Sequence, residues 1–262
     1  DPVFAAKLQE ALGGQYGEIS VMMQYLFQGF NCRADAKYRD LLFDIGTEEI
    51  GHVEMFATMI ARLLDNAPFE VQQNAYDMDP ALAAILGGTN PQHAIVAGLG
   101  AMAADSEGYP WNAKYIISSG NLLADFRANL NAESQGRLQV TRLYNMTDDP
   151  GVRDMLSFLI ARDTYHQNQW YAAVKELEER EGDIVVPTTF PRSLEKEEVA
   201  YTLFNFSEGE ESKTGRWASG PSFDGRGEYT YSPTPYAWGE APVLMPAPPE
   251  YFNTPLGEMP QM

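Results

Sequence analysis

The chain of 262 residues is 44% hydrophobic and 21% charged, the balance of a soluble globular protein with a sizeable core. Its formal net charge of −19, from 18 basic and 37 acidic residues, argues against nucleic acid and anionic membrane surfaces as partners. The single cysteine, Cys32, excludes an internal disulfide and favours a cytoplasmic location, and no apolar run approaches the roughly 20 residues of a membrane-spanning helix.

The first predicted helix runs from just after Asp1-Pro2 to about Phe30, because proline is favourable in a first helical turn. Gly13-Gly14 and Gly17 interrupt this segment. Each glycine inside a helix costs about 1 kcal/mol relative to alanine. We therefore expect another part of the backbone to approach closely at these positions.

Three further long helices are predicted over residues 36–65, 121–146 and 150–180. Their apolar residues recur with the period of one helix face, and Asp148-Asp149-Pro150 is a typical helix start. Together with the first helix they predict an all-α, ferritin-like four-helix bundle over residues 1–181, which holds a dinuclear metal site.

The connection between the second and third helices, residues 66–120, is too long for a plain loop. A long crossover of this kind is typical of ferritin-like topology, and short helices are expected after Asp79-Pro80 and Asn90-Pro91. His93, close to the second of these starts, is expected to be a capping or surface residue rather than a metal ligand.

The composition changes in residues 182–262, which hold eleven of the 17 prolines. This segment is expected to be an extended tail that wraps over a neighbouring subunit, and the alternative is a disordered tail. Val185-Val186 and Tyr229-Thr230-Tyr231 are candidates for short strands within it.

Each of the four long helices carries an acidic residue on its apolar face, and two of them add a histidine three residues later, which places acid and imidazole on one face. The residues are Glu18, Glu49 with His52, Glu133, and Asp163 with His166. One carboxylate from each of two helices and an acid–histidine pair from each of the other two form the ligand set of dinuclear carboxylate bundles. Such ligands suit manganese, iron or zinc. In the competing interpretation, the buried acids and histidines only satisfy each other.

The segments around these residues resemble those of the manganese catalases. The similarity runs in matching order from Leu8 to about Asn205 and fades in the tail. Its strongest strings are residues 12–18 (LGGQYGE), 46–54 (GTEEIGHVE), 118–122 (SSGNL), 137–144 (RLQVTRLY) and 161–167 (ARDTYHQ).

The resemblance implies that the chain disproportionates hydrogen peroxide to water and dioxygen at two manganese ions per subunit, as a defence against oxidative stress. By similarity, Glu49 bridges the two ions. Glu18 and His52 complete the coordination of one ion, and Glu133 and His166 that of the other. Relatives form hexamers, and the tail agrees with assembly, so the chain is expected to form a homo-oligomer, a hexamer.

The resemblance also implies roles for three residues outside this ligand set. Asp163 stands where many relatives carry a glutamate that transfers protons without binding metal, and its shorter side chain favours contact through water. Tyr25 resembles a tyrosine that hydrogen-bonds a ligand carboxylate, and the alternative is a core aromatic residue. Ala132 replaces an arginine that covers the substrate channel in some relatives, which suggests a more open or differently gated approach.

A calcium site is a further candidate. Asp40 and Asp44 lie one turn apart on the second long helix, and Asn205, Ser207 and Gly209 follow much later. Carboxylate, hydroxyl and carbonyl oxygens are calcium ligands, and some manganese catalases bind calcium with similar residues of adjacent subunits. The competing interpretation is a solvated acidic surface.

Two other functions fit the same ligand set. A diiron oxidase or peroxidase would share the bundle, but those that need an electron donor often carry a Cys-x-x-Cys iron domain, which one cysteine does not allow. A metal-storage or structural oligomer is the non-enzymatic alternative, although storage chains are usually shorter.

Overall fold

The computed structural model describes residues 1–66, 90, 92–186, 188–235, 239–240 and 243–245. The chain divides into two compact units, Asp1–Pro187 and Thr188–Met262. Among the described residues, no helix has both the length and the apolar character that a membrane span requires.

The first unit is helical. Its helices are α1 (Pro2–Gly13), α2 (Glu18–Asn31), α3 (Ala36–Leu64), α4 (Gln92–Ile95), α5 (Leu122–Asn145) and α6 (Pro150–Glu181). The predicted helices over residues 36–65, 121–146 and 150–180 are confirmed to within one residue at each end. Helix α2 packs on α3 and α5 packs on α6, and contacts of α2 with α5 and of α3 with α6 join the two pairs into a bundle.

Local chemistry explains where the last two long helices begin and end. The side chain of Asn121 accepts a hydrogen bond from the Ala124 amide at the start of α5. Asp149 does the same for two amides at the start of α6, where Pro150 occupies the first turn. Gly182 ends α6 with a φ of 65°, a left-handed conformation that glycine adopts without strain.

The prediction of one continuous first helix is wrong, because the chain breaks into α1 and α2 between Gly14 and Gly17. The expected close backbone approach explains the break. A Cβ on Gly13 would lie 2.3 Å from the carbonyl oxygen of Ala104, and one on Gly17 would lie 2.8 Å from that of Leu12. The tight turn that these glycines permit makes Glu18 the first residue of α2.

Buried glutamines hold the crossover against the bundle. The Gln9 side chain donates to the carbonyl oxygens of Met102 and Ala104 at 2.8 and 2.6 Å and accepts from the Met102 amide. Gln24 accepts from the Ile117 amide at 2.8 Å. This irregular backbone is therefore tied to α1 and α2 by side chains that are themselves buried.

The predicted helix after Asn90-Pro91 is confirmed as α4, whereas Asp79-Pro80 lies outside the described residues. The capping or surface role expected for His93 is wrong, because its side chain is buried and Nδ1 lies 3.0 Å from the carbonyl oxygen of Gly100. The cap is Asn90 instead, whose side chain accepts from the Gln92 amide. His93 belongs to neither group of candidate metal ligands found among the described residues.

The core of the first unit contains two hydrophobic clusters. One includes Leu8, Phe56, Ile60, Leu156 and Leu159. The other includes Leu42, Ile45, Phe126, Trp170 and Leu177. On α3 and α6 the two clusters occupy opposite ends of the buried face, so the residues between them, positions 49–52 and 163–166, form a separate layer.

The second unit contains a three-stranded sheet in the order β1–β3–β2, built from β1 (Thr202–Phe204), β2 (Gly220–Pro221) and β3 (Glu228–Ser232). Strand β3 pairs parallel to β1 and antiparallel to β2 and confirms the predicted strand at residues 229–231. A short helix, α7 (Glu197–Ala200), precedes β1. Asp224 accepts hydrogen bonds from Arg192 and Tyr201 at 2.9 Å each and thereby ties the start of this unit to its sheet.

The strand expected at Val185-Val186 is wrong. These residues have no strand assignment, although β-branched pairs favour strands. The guanidinium of Arg127 on α5 donates to the neighbouring Ile184 carbonyl oxygen, and Val186 packs against the core of the first unit. The hydrogen bond to this backbone carbonyl therefore comes from a side chain rather than from a second strand.

Candidate metal centre

Between the two hydrophobic clusters lies a layer of six buried ionisable side chains. They are Glu18 on α2, Glu49 and His52 on α3, Glu133 on α5, and Asp163 and His166 on α6. Charged groups are rarely buried without partners or a bound cation, so this layer is the exceptional feature of the bundle.

Glu49 lies at the centre of the layer and faces both histidines. Its Oε2 is 2.6 Å from Nδ1 of His52, and its Oε1 is 2.8 Å from Nδ1 of His166. The two imidazole rings are stacked with their centroids 5.8 Å apart. A carboxylate that presents one oxygen to each of two imidazoles has the arrangement required to bridge two cations.

The six side chains form two groups whose potential ligand atoms lie within 4.8 Å of one another. One group comprises Glu18, His52 and Asp163, and the other comprises Glu49, Glu133 and His166. Asp163 and His166 share a helix face, yet they fall in different groups. The bundle thus brings Asp163 next to residues of α2 and α3, and the predicted ligands all lie in the same layer.

The donor atoms of this layer are suited to a metal. Both oxygens of Glu49, all four ring nitrogens of His52 and His166, and Oδ2 of Asp163 are buried without a hydrogen-bond partner among the described residues. The short nitrogen–oxygen distances around Glu49 are therefore not well-aligned hydrogen bonds. Orphaned carboxylate oxygens and imidazole nitrogens are the donor set that manganese, iron or zinc accepts.

Two carboxyl groups of this layer, those of Glu18 and Asp163, hold protons at neutral pH. Burial, together with the charges of neighbouring carboxylates, raises the pKa of Glu18 to about 8 and that of Asp163 to about 9. Burial opposes protonation of His52, but its contacts with Glu18 and Glu49 outweigh burial and raise its pKa to about 10.

The central carboxylate, Glu49, remains ionised because its histidine neighbours outweigh the effect of burial. Burial acts to raise the pKa of Glu49, but the two histidines on either side of it lower that pKa to about 2. Burial likewise opposes protonation of His166, whose contacts with Glu133 and Glu49 raise its pKa to about 11. The layer thus balances its own charge with protons where cations would otherwise do so.

Tyr25 contacts the layer directly. Its hydroxyl donates a hydrogen bond of 2.6 Å to Oε1 of Glu133, and its ring packs on Trp170 with the centroids 5.0 Å apart. Burial raises the pKa of Glu133, whereas the bond from Tyr25 lowers it. The tyrosine thus orients one oxygen of this carboxylate.

Glu48 and Arg162 form an ion pair at the edge of the layer that the sequence pattern did not indicate. Arg162 donates from Nε and Nη2 to the two oxygens of Glu48, and these bonds lower the pKa of the Glu48 carboxyl. Oε2 of Glu48 lies 3.2 Å from Nε2 of His166. The available signal was the i, i+4 spacing of Glu48 and His52 within a motif that already contained Glu49.

Comparisons with known proteins decide the family. A family model for manganese containing catalase matches residues 1–262. The chain belongs to the manganese catalase family. It is 63% identical over 254 residues to a manganese catalase of Bacillus subtilis, covering 97% of this chain and 92% of that one. It is 79% identical over the same length to the uncharacterized protein YjqC of Bacillus subtilis strain 168, covering 97% and 91%.

The fold agrees with this membership. The crystal structure of KatB, a manganese catalase from Anabaena, matches with a TM-score of 0.67 and 26% identity, covering 89% of this chain and 92% of that one. The predicted all-α, ferritin-like class is confirmed. Disproportionation of hydrogen peroxide is the activity of the family, so the predicted function and the enzyme class, an oxidoreductase acting on peroxide, are confirmed as well.

A small cavity adjoins the layer on the side of Ala132. Its volume is about 10 Å³, and its lining includes Ala132, Gly136, Tyr16, Glu133 and Asp163. Ala132 and Gly136 lie one turn apart on α5, and their small size leaves this space open. The expected consequence of Ala132, a more open or differently gated approach than in relatives with arginine there, remains a prediction.

The candidate calcium residues fall in different units. Asp40 and Asp44 are exposed on α3 of the first unit. In the second unit, the Asn205 side chain accepts from the Ser207 amide at 3.0 Å, and the Ser207 hydroxyl donates to the Gly209 carbonyl oxygen at 2.9 Å. Asp40 and Asp44 belong to neither group of histidine and acidic ligands found among the described residues.

Proposed function

We propose that the chain disproportionates peroxide at a centre of two manganese ions per subunit. Glu49 would bridge the ions, Glu18 and His52 would complete the coordination of one, and Glu133 and His166 would complete that of the other. The observation that carries this proposal is the position of Glu49, with one oxygen near Nδ1 of each histidine. Four buried acids would repel one another without cations or protons between them.

The reaction requires a group that holds protons. When bound, two manganese ions exchange two electrons with peroxide, which acts as reductant in one half-reaction and as oxidant in the other. Oxidation of one peroxide to dioxygen releases two protons and two electrons. Reduction of a second peroxide consumes them and forms two molecules of water.

Asp163 is our candidate for this proton transfer. Its Oδ2 is buried without a hydrogen-bond partner among the described residues, and its carboxyl lines the small cavity beside the layer. Burial and the charge of Glu18 raise its pKa to about 9. A carboxyl group at this place can accept a proton from peroxide and return it in the second half-reaction.

Tyr25 acts through Glu133. Its hydroxyl occupies Oε1 of that carboxylate, which limits how the side chain can rotate and leaves Oε2 for a cation. The apolar residues on either side of the layer exclude bulk water, so only small molecules reach it.

Metal content and oxygen release test this function together. Protein purified without added metal is analysed for manganese and iron and then supplied with peroxide in an oxygen electrode. Two manganese ions per chain with azide-tolerant oxygen release support the proposal. Iron in their place, or no oxygen release from manganese-loaded protein, would contradict it and would favour the diiron or storage alternatives.

We also propose an assembly and a cellular location for the chain. The chain forms a homo-oligomer, a hexamer by the family resemblance, in which residues 182–262 wrap over a neighbour; light scattering tests the mass. A reducing cytoplasm agrees with the single, half-buried Cys32.

Calcium is bound by Asp40, Asp44, Asn205, Ser207 and Gly209. The compact turn at residues 205–209 supports this site, and calcium analysis of the assembled protein tests it.

A further inference from the structure

Glu48 lies across the outer edges of both candidate histidine ligands. Its Oε2 is 3.2 Å from Nε2 of His166, and its Oε1 is 3.7 Å from Nε2 of His52. The opposite nitrogens, Nδ1 of both rings, face Glu49. Two consecutive acids of α3 therefore enclose the pair of imidazoles, with Glu49 on the inner side and Glu48 on the outer side.

This arrangement matters because a histidine can bind metal through Nδ1 only when its proton is on Nε2. A carboxylate at Nε2 accepts that proton in a hydrogen bond, fixes the tautomer and the ring orientation, and makes Nδ1 a stronger donor. Glu48 has two oxygens, one directed towards each histidine.

We propose that Glu48 is a positioning residue that holds His52 and His166 in the Nδ1-binding state by accepting an Nε2–H hydrogen bond from each. This inference rests on the proposed ligand roles of the two histidines. Among the described residues, both Nε2 atoms are buried without a hydrogen-bond partner, and the Glu48 oxygens at 3.2 Å and 3.7 Å are the acceptors that would satisfy them. One outer carboxylate then serves the ligands of both ions.

Arg162 fixes the Glu48 carboxylate for this role. Its Nε donates to Oε1 at 2.5 Å and its Nη2 donates to Oε2 at 3.0 Å, a two-point contact that determines the plane of the carboxylate. The guanidinium in turn lies over the ring of Tyr165, 5.1 Å from its centroid. The side chain of Glu48 is 33% exposed while the histidines are buried, so the ion pair also closes this side of the layer.

Glu48→Gln tests the proposal because glutamine keeps the shape of the side chain but has one acceptor oxygen instead of two. Its NH2 group donates only, so it cannot accept from a histidine or from Arg162. We expect the dissociation constant for manganese, measured by chelator competition, to rise about 10- to 100-fold, the usual effect of losing such a partner. The electron paramagnetic resonance spectrum of manganese-loaded protein is expected to change as well.

Glu54→Gln is the matched control, since it removes an exposed carboxylate from the same helix. Arg162→Gln leaves Glu48 in place but releases it, and we expect an intermediate loss of affinity. In the Glu48→Gln background, Arg162→Gln should cause little further loss. If Glu48→Gln does not fold, Arg162→Gln alone carries the test.

The outcomes separate this inference from the proposed function. Wild-type protein that binds no manganese contradicts the function, and the inference with it. Wild-type protein that binds two manganese ions while Glu48→Gln binds them with unchanged affinity and spectrum overturns only the inference. Additive losses from Glu48→Gln and Arg162→Gln also overturn it, because Arg162 would then not act through Glu48.

Discussion

The hydroxyl of Tyr25 donates a hydrogen bond of 2.6 Å to Oε1 of Glu133, although the two residues are 108 positions apart in the chain. This bond joins α2 to α5 inside the metal layer. It is short and involves a carboxylate, and hydrogen bonds of that kind contribute about 1.5–3 kcal/mol.

Tyr25→Phe removes this bond and keeps the ring that packs on Trp170. We expect the dissociation constant for manganese to rise and kcat to fall, each by about tenfold or more, because Glu133 is no longer fixed. Tyr38→Phe is the matched control, since its hydroxyl bonds Glu176 outside the layer at 2.7 Å. Equal effects of the two substitutions on kcat would contradict the role of Tyr25.

His52→Ala and His166→Ala are expected to lose metal and activity together, because each removes the imidazole from one group of donors. Metal analysis of folded protein checks the stoichiometry. His93→Ala, which alters the third histidine of the chain, should keep both ions. Two manganese ions retained in His166→Ala would refute the ligand assignment.

Asp163→Asn keeps the size of the side chain but cannot take up a proton. We expect manganese content to be retained and kcat to fall by about 10²- to 10⁴-fold, the usual contribution of a positioned acid or base. Asp154→Asn, an exposed change on the same helix, serves as the control. Loss of one manganese ion would instead indicate that Asp163 binds metal directly.

Metal affinity of the metal-free protein should increase with pH. The pKa of Glu18 is raised to about 8 and that of His52 to about 10, so both hold protons at neutral pH that a cation must displace. For each proton released on binding, the affinity for manganese increases about tenfold per pH unit. Chelator competition between pH 6 and 8.5 measures this slope, and a flat profile would contradict it.

The thermal stability of the same metal-free protein should change in the opposite direction. Folding raises the pKa of Glu18 from 4.5 to about 8 and that of Asp163 from 3.8 to about 9. Between these values the folded state binds more protons than the unfolded state, so the free energy of unfolding falls as pH rises. Glu49, whose pKa is lowered to about 2, has the reverse effect, but only as pH falls below about 4.5. A melting temperature that rises between pH 6 and 9 would contradict this expectation.

Gly136→Leu is expected to fill the cavity beside the layer. A Cβ at Gly136 would lie 3.4 Å from the Tyr16 carbonyl oxygen, an ordinary contact, but the further carbons of leucine must enter the open space. We expect kcat/KM to fall about tenfold, equivalent to about 1.4 kcal/mol, with manganese content unchanged. Gly136→Ala, which adds only the Cβ, should retain most of the activity.

Much of the fold and of the candidate layer could be predicted from the sequence. The apolar periodicity of α3, α5 and α6 located these helices, because one buried face produces one period along the chain. The spacing of Glu49 and His52 indicated a shared face for the same reason. The break before Glu18 was missed, since periodicity does not record the approach of Ala104 to Gly13.

What the sequence alone determined is which residues lie on each buried helix face, because the helical repeat depends only on spacing within one segment. Only the tertiary structure decided how those faces meet. It places Glu49 between both histidines and Asp163 beside Glu18 and His52. It also brings Glu48 to the outer nitrogens of the histidines. These contacts depend on the rotation and axial offset of helices distant in the chain. Packing of the whole bundle sets both quantities.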